Sequence, residues 1–410
     1  VAAPKFHFLI SVWGEVHTDL FLRVALPALL APGNLGDFPW AGSSSFRVFA
    51  SSRDAPRIAA DANFVRLQRL MPAGILDIDS ILRGYESVFA RLTECQRLAI
   101  RAADGDDAAL FFLNPDGVIN DGYCRWAAAR IVEGASAVVA PGARIVQEVA
   151  VSGLRSRFRK PDGSLVAPSR DLVAYGLTCL HPQSQSWFLD SPTFDRLPPY
   201  LFFRAGEAGL VAACYVQHPV VVRPEVKHQQ VVNIWDQDWL AAACPNPERI
   251  VVATNSDDLA MFGLDQGLRF ADYLVPNRAD LDDVAYLGEF SFNHLHRAFA
   301  RQPVFFRATD GDPAHWTAAE TEARKAIAAV DARLARSDEE LARDDLRHLL
   351  VRLRGRYRFV DPRFFNPPFA ADTKEIGNAL VDDLPRLLEV ATPADRAHLI
   401  AIAKARDIAL

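Results

Sequence analysis

Short apolar runs of strand length alternate with amphipathic stretches over the first 140 residues, and that alternation predicts an α/β fold with a mostly parallel sheet and helices on both faces. The runs are Phe6–Val12 (FHFLISV), Phe46–Ser51 (FRVFAS), Gly74–Ile78 and Ala108–Leu113 (AALFFL). The last is continuously apolar, as a strand covered on both faces should be. Between the runs, the pattern predicts a helix from Thr18 or Asp19 to Leu30, bent or ended by Pro27, and a second helix around Asp61–Leu70. A third is expected over Tyr85–Ala103, with Val88, Leu92, Cys95, Leu98 and Ala99 on one side.

The rhythm continues through a helix near Cys124–Glu133 and a strand at Ala137–Ala140. Residues 143–168 then read as a hairpin whose turn is Lys160-Pro161-Asp162-Gly163. Further strands are expected at Leu201–Arg204 and Leu210–Val222, around Gly206 and Gly209. Thr317–Arg336 and Ser337–Arg352 are rich in Ala, Leu, Glu and Arg and read as helices. The Gly311-Asp312-Pro313 step therefore divides an α/β body, residues 1–311, from a helical C-terminal region, residues 312–410.

Composition narrows the classes without choosing a function. With half of its 410 residues hydrophobic and 23% charged, the chain is neither disordered nor collagen-like. A net charge of -6 gives no global positive field, so no nucleic-acid partner is expected. The five cysteines, Cys95, Cys124, Cys179, Cys214 and Cys244, are odd in number and form no CxxC pair. They read as buried thiols of a reducing compartment, which points to the cytoplasm. No apolar run reaches the roughly 18 residues of a membrane-spanning helix, so a transmembrane protein is not expected.

Signature motifs for P-loop, dinucleotide-binding, α/β-hydrolase and zincin chemistry are missing. The most informative segment is Leu110-Phe111-Phe112-Leu113-Asn114-Pro115-Asp116-Gly117-Val118-Ile119-Asn120-Asp121-Gly122. A buried strand would deliver Asp116 to the rim of the sheet, where open α/β sheets bind ligands. Asn114, Asp116 and Asp121 are hard oxygen donors suited to Mg²⁺ or Mn²⁺, ions that often bridge protein to substrate phosphates. The alternative is a plain Asn114-Pro115-Asp116-Gly117 turn with Asp121 as a helix cap.

The layout resembles nucleotide-sugar-dependent glycosyltransferases of the GT-A fold over roughly residues 5–225. The resemblance rests on Phe-His-Phe-Leu-Ile-Ser-Val-Trp-Gly (6–14), Leu-Pro-Ala-Leu-Leu-Ala-Pro-Gly-Asn-Leu (26–35) and Phe-Leu-Asn-Pro-Asp-Gly (112–117). Those enzymes open with strand-helix repeats that bind a nucleotide, then present a DxD-type metal motif at a strand end about 100 residues in. Here the motif reads Asn114-Pro115-Asp116, with an amide in place of the first carboxylate. The resemblance implies sugar transfer from a nucleotide-diphosphate donor to a glycan, lipid-linked or protein acceptor, in bacterial glycan or glycoconjugate synthesis. It also implies a divalent cation, Mn²⁺ or Mg²⁺, held by Asp116 with Asn114 and a later histidine.

His218, in Gln217-His218-Pro219, fits that histidine by position, and His181 and His228 compete with it. Each histidine has the alternative of a structural role. By the same resemblance Val12, Trp13 and Gly14 would flank the base or ribose, with Ser51, Ser52 and Arg53 at the end of the second strand. Arg97 and Arg101 could neutralise phosphate. An inverting enzyme would need a carboxylate base, for which Asp190 is the choice. Two alternatives stand beside this reading: a non-catalytic binding or scaffold protein, and a nucleotidyltransferase, although the latter's Gly-rich opening loop is missing.

Two basic clusters remain. Arg155, Arg157, Arg159 and Lys160 would alternate on the expected hairpin, and Arg352, Arg354, Arg356 and Arg358 alternate around Gly355. Both read as charged edges or as anion-binding faces, and the second could touch a membrane surface. Asp236, Asp238, Asp257 and Asp258 lie near aromatic or apolar residues, the latter pair at an expected helix start capped by Asn255 or Ser256.

Overall fold

A computed structural model describes residues 3–82, 88–195, 198–229, 237–267, 276–290, 292–342, 350, 353, 383–405 and 408. Its strands, in chain order, are β1 (Phe6–Val12), β2 (Ser45–Ala50), β3 (Ala73–Asp77), β4 (Ala109–Leu113), β5 (Gly117–Ile119), β6 (Ala137–Ala140), β7 (Ala143–Val146), β8 (Tyr200–Arg204), β9 (Gly209–Cys214), β10 (His218–Val222), β11 (Ile250–Val252), β12 (Met261–Asp265) and β13 (Val304–Arg307). The main sheet has the order β11-β6-β10-β4-β1-β2-β3. Its neighbours run parallel except at β10, which is antiparallel to both β4 and β6. The protein is therefore α/β with a mostly parallel mixed sheet, as the opening alternation predicts.

All seven residues of β1 are buried, because helices cover both of its faces. Phe6, Phe8, Ile10 and Val12 point into one core, while Leu9 joins Phe49, Leu110 and Phe112 in another. The helix Val88–Asp106 closes that second core through Cys95, Ala99, Ile100 and Ala103. Tyr85, its expected start, lies outside the described residues. The five cysteines are all buried free thiols.

The chain leaves β1 for β2 and β3 on one side, then returns to add β4 on the other. Such a reversal leaves a crevice beyond the carboxyl ends of the two central strands. The ends of β1 and β4 are therefore a candidate ligand site.

Several local expectations are corrected. The first helix begins at Glu15 behind Gly14, before Thr18 or Asp19, and runs as far as Leu29 through a π-helical segment, Phe21–Ala25. Pro27 has no N–H and its ring needs room near the preceding turn, so widening the turn before it lets the helix continue. Residues 143–168 are not a hairpin: β7 is followed by a helix, Gln147–Phe158. Only the Lys160–Gly163 turn and a single Arg159–Leu165 bridge survive from that reading. Arg155 and Arg157 therefore lie on a helix and do not alternate with Arg159 and Lys160 on a strand.

The apolar stretch Leu210–Val222 is likewise two strands in different sheets. β9 sits between β8 and β13, whereas β10 enters the main sheet. Tyr215 and Val216 break the run by donating their N–H groups to the Pro199 carbonyl. Asp257 and Asp258 sit in a turn in place of a helix start, where Asn255 Oδ1 accepts the Asp257 N–H at 3.0 Å.

The hairpin β8–β9 depends on Gly209, whose φ is 148°. A Cβ there would lie 1.9 Å from the Phe306 carbonyl oxygen of β13. Gly209→Ala is expected to destabilise the fold by more than about 2 kcal/mol, since neither strand backbone can retreat cheaply. A urea midpoint unchanged from wild type would contradict that account.

Beyond Asp312, which caps it, the helix Pro313–Asp331 packs Trp316, Ala319 and Ala323 against Leu201, Phe203 and Val211 of the β8–β9 hairpin. This first C-terminal helix thus shares a core with the α/β body. The cluster Arg352, Arg354, Arg356 and Arg358 lies outside the described residues, as does Asp236, and nothing of the Asp238 side chain is described. No helix among the described residues is long and apolar enough to cross a membrane.

Candidate functional site

The crevice at the carboxyl ends of β1 and β4 is a cavity of about 330 Å³. Ser11 and Trp13, from the end of β1, form one wall with Leu92 of the helix Val88–Asp106. The segment Leu113–Gly117 leads out of β4 across the cavity, and His218 enters it as the first residue of β10. Gly142 and Arg144 come from beside and within β7, Met261 and Asp265 from β12, and His17 from the first helix.

Asp116 reaches this cavity through a turn. The Gly117 N–H donates to the Asn114 carbonyl at 3.2 Å, and the Asp116 carbonyl accepts the Leu264 N–H at 2.8 Å. Asn114-Pro115-Asp116-Gly117 is therefore a turn, and it sets Asp116 among the residues lining the cavity. Burial pushes the Asp116 carboxyl up from its ordinary value, His17 and Arg144 pull it back, and Asp265 adds to the rise. A half-buried carboxylate in that condition gains from a cation placed beside it.

His218 has the opposite shift, to about 4, caused first by burial and then by the Arg144 charge. Its imidazole is neutral near pH 7, the form that ligates metals. Arg144 pairs with Asp265, which closes the charged end of the cavity. His17, Arg144 and Asp265 were not expected from sequence. The signal for Asp265 was present in the Met261–Asp265 run, an apolar strand ending on a carboxylate like that before Asp116.

The structure thus brings Asn114, Asp116, His218 and Trp13 together and leaves the other candidates elsewhere. Asp121 neither lines the cavity nor caps a helix: its Oδ1 accepts the Gly33 N–H at 2.6 Å, and Gly122 caps the helix Tyr123–Val132. His181 caps the short helix Pro182–Gln185, accepting the Gln183 N–H on Nδ1. His228 is exposed beside Asp104, outside the cavity. Val12 is buried in the core. Gly14 and Ser51 do meet, but through Asp54, whose Oδ2 accepts the Gly14 N–H at 2.8 Å and the Ser51 hydroxyl at 2.6 Å. Neither they nor the exposed Arg53 line the cavity.

The proposed phosphate arginines are also engaged elsewhere. Arg97 is buried in an ion pair with Asp395 at 2.8 Å, and Arg101 pairs with Glu94 at 3.1 Å. Both face away because the helix turns its small apolar residues to the sheet and leaves its arginines to the C-terminal side or solvent. Asp190 pairs with Arg204 at 3.1 Å and lines a separate groove, so it does not share the cavity with Asp116.

Compared with protein-family models and with curated proteins, the sequence matches none of them. The functional reading therefore stands on this cavity.

The donor set decides what ion the cavity suits. Among the described residues, no group of three or more His, Cys, Asp or Glu side chains converges closely enough to form a protein-only metal cage. Asp116 and His218 line one cavity with the amide of Asn114. One carboxylate and one neutral imidazole suit a partly hydrated divalent ion whose remaining positions go to water and ligand phosphates.

Proposed function

We propose that this chain is a GT-A-like glycosyltransferase that moves a sugar from a nucleotide-diphosphate donor to an acceptor hydroxyl. The observation that carries the reading is the meeting of Asp116, from the end of β4, with His218, from the start of β10, in one cavity at the reversal of the parallel sheet. The order of events along the chain supports it: nucleotide-sized strand-helix repeats first, a carboxylate at a strand end next, and a histidine from a later strand.

The cavity has two chemically different parts. Leu9, Ser11, Trp13 and Leu92 offer an apolar wall with one hydroxyl, suited to a base and ribose. Asp116, His218, Arg144 and Asp265 offer the charged part, suited to a diphosphate. Asp116 opposes a diphosphate and Arg144, paired with Asp265, offsets only part of that charge, so a cation beside Asp116 would strengthen the binding. Asp116, His218 and Asn114 would hold Mg²⁺ or Mn²⁺, which supplies charge stabilisation to the departing nucleoside diphosphate. His218 stays neutral and is oriented by its strand pairing with Ala140.

A glycan, lipid-linked or protein hydroxyl is the proposed acceptor, and a glycoconjugate assembly step in a bacterial cytoplasm is the proposed setting. Hydrolysis of a panel of nucleotide sugars, with and without Mn²⁺, tests the reading. Donor-selective, Mn²⁺-dependent release of the nucleoside diphosphate is expected. Activity on nucleoside triphosphates alone would favour a nucleotidyltransferase, and binding without turnover a scaffold.

A further inference from the structure

Arg144 is held at its backbone and at one corner of its guanidinium. Its backbone N–H donates to Ser184 Oγ at 2.8 Å, and its carbonyl accepts the His181 N–H at 2.9 Å. β7 pairs with β12 so that Arg144 stands opposite Gly263, where the nearest atom to a built Cβ is the Arg144 Cγ, at 3.9 Å. The arginine stem can therefore lie across a backbone with no side chain in its way. At the tip, Nη1 donates to Asp265 Oδ2, while Asp265 Oδ1 accepts the Gln266 N–H at 2.9 Å. The remaining guanidinium N–H groups carry no hydrogen bond among the described residues, and the side chain lines the same cavity as Asp116 and His218.

An ion pair placed only for stability would contribute little at this exposure. A planar fork fixed at one corner, with its other donors open beside a proposed diphosphate site, has a clear chemical complement in a phosphate oxygen pair. Arg97 and Arg101, which the resemblance offers for phosphate, are paired away from the cavity.

We propose that Arg144 binds the terminal phosphate of the donor's diphosphate and that Asp265 is the positioning residue that holds its guanidinium toward the cavity. The proposal rests on the nucleotide-sugar reading and deepens it. Arg144 would supply a second, metal-independent contact, so the protein would distinguish nucleoside diphosphates from monophosphates by a fixed side chain as well as by an ion.

Isothermal titration with UDP, GDP, ADP and CDP identifies the preferred base, and the matching monophosphate is then titrated in EDTA, without metal. Wild type is expected to prefer the diphosphate by roughly tenfold or more, the usual worth of a charge-assisted pair of hydrogen bonds. Arg144→Gln should abolish that preference, and a wild-type thermal melting transition for the variant shows that it is folded. Asp265→Asn should reduce the preference in part, and Asp265→Glu should restore more of it than Asp265→Asn does, an order that a purely structural role would not produce. A preference retained in Arg144→Gln would overturn the Arg144 assignment while leaving the nucleotide-sugar reading intact. Wild type that binds no nucleotide, with or without Mn²⁺, would overturn both.

Discussion

Replacing Asp116 with Asn is expected to lower kcat for donor turnover by about 100-fold or more, the usual scale for removing one electrostatic stabiliser of a developing charge. Asn keeps the size of the side chain and the Asn114–Gly117 turn, because that turn is closed by backbone groups and the Asp116 carbonyl. What it removes is the cavity's charge toward a cation. The binding of nucleoside without phosphate should be unchanged, since Trp13, Ser11 and Leu92 form the other wall. Stability should rise slightly or stay constant, because burial without a cation already penalises the Asp116 carboxylate. The sign follows from the raised carboxyl: a group harder to ionise folded than unfolded costs stability above its unfolded pKa, and Asn has no such cost. Steady-state turnover with a melting scan of the same preparation measures both effects. A variant that keeps wild-type kcat would remove Asp116 from the chemistry.

The second large effect is on stability and lies far from the cavity. Glu289 is a buried hub: its Oε1 accepts from Arg297 Nη2 at 3.0 Å and from the Ala335 N–H at 2.8 Å, and its Oε2 accepts from Arg336 Nε at 2.9 Å. Arg297 is 1% exposed, so its charge cannot turn to water. Asp338 stands farther from it, at 3.5 Å. Glu289→Ala should destabilise the fold by about 3–5 kcal/mol, because it leaves a buried guanidinium without its nearest carboxylate. Replacing Arg297 with Met in the same background should recover part of the loss, since the stranded charge is then gone. Urea unfolding of the single and double variants decides this, and a double variant less stable than Glu289→Ala would contradict the buried-charge explanation.

Most of the sheet was legible in the sequence because its strands are short, continuous in apolar residues and separated by turn chemistry. β6 matches its expected bounds, and β4 differs by one residue. Failures arose where the local pattern is ambiguous. Arg155 and Arg157 alternate as they would on a strand face, but Ala150, Leu154 and Phe158 repeat every four residues and bury one side of a helix. Leu210–Val216 is apolar throughout, so periodicity could not show the break after Cys214 that sends β9 and β10 to different sheets.

The site was legible in half. Asp116 could be named because it follows a recognisable strand, and His218 because of its position in the layout that the resemblance implies. Arg144 and Asp265 could not, because they are 121 residues apart and meet only through the pairing of β7 with β12. Arg97 and Arg101 were misread for a related reason: sequence shows that a helix carries arginines, but not that Asp395 or Glu94 already holds them.

The central claim is that Asp116 and His218 form a divalent-cation and diphosphate site. A crystal soaked with Mn²⁺ and the preferred nucleoside diphosphate, measured at the manganese absorption edge, tests it most directly. The account predicts one anomalous peak between the Asp116 carboxylate and the His218 imidazole, with the diphosphate beside it and the base against Trp13. Nucleotide density elsewhere, or manganese bound away from Asp116, would contradict it.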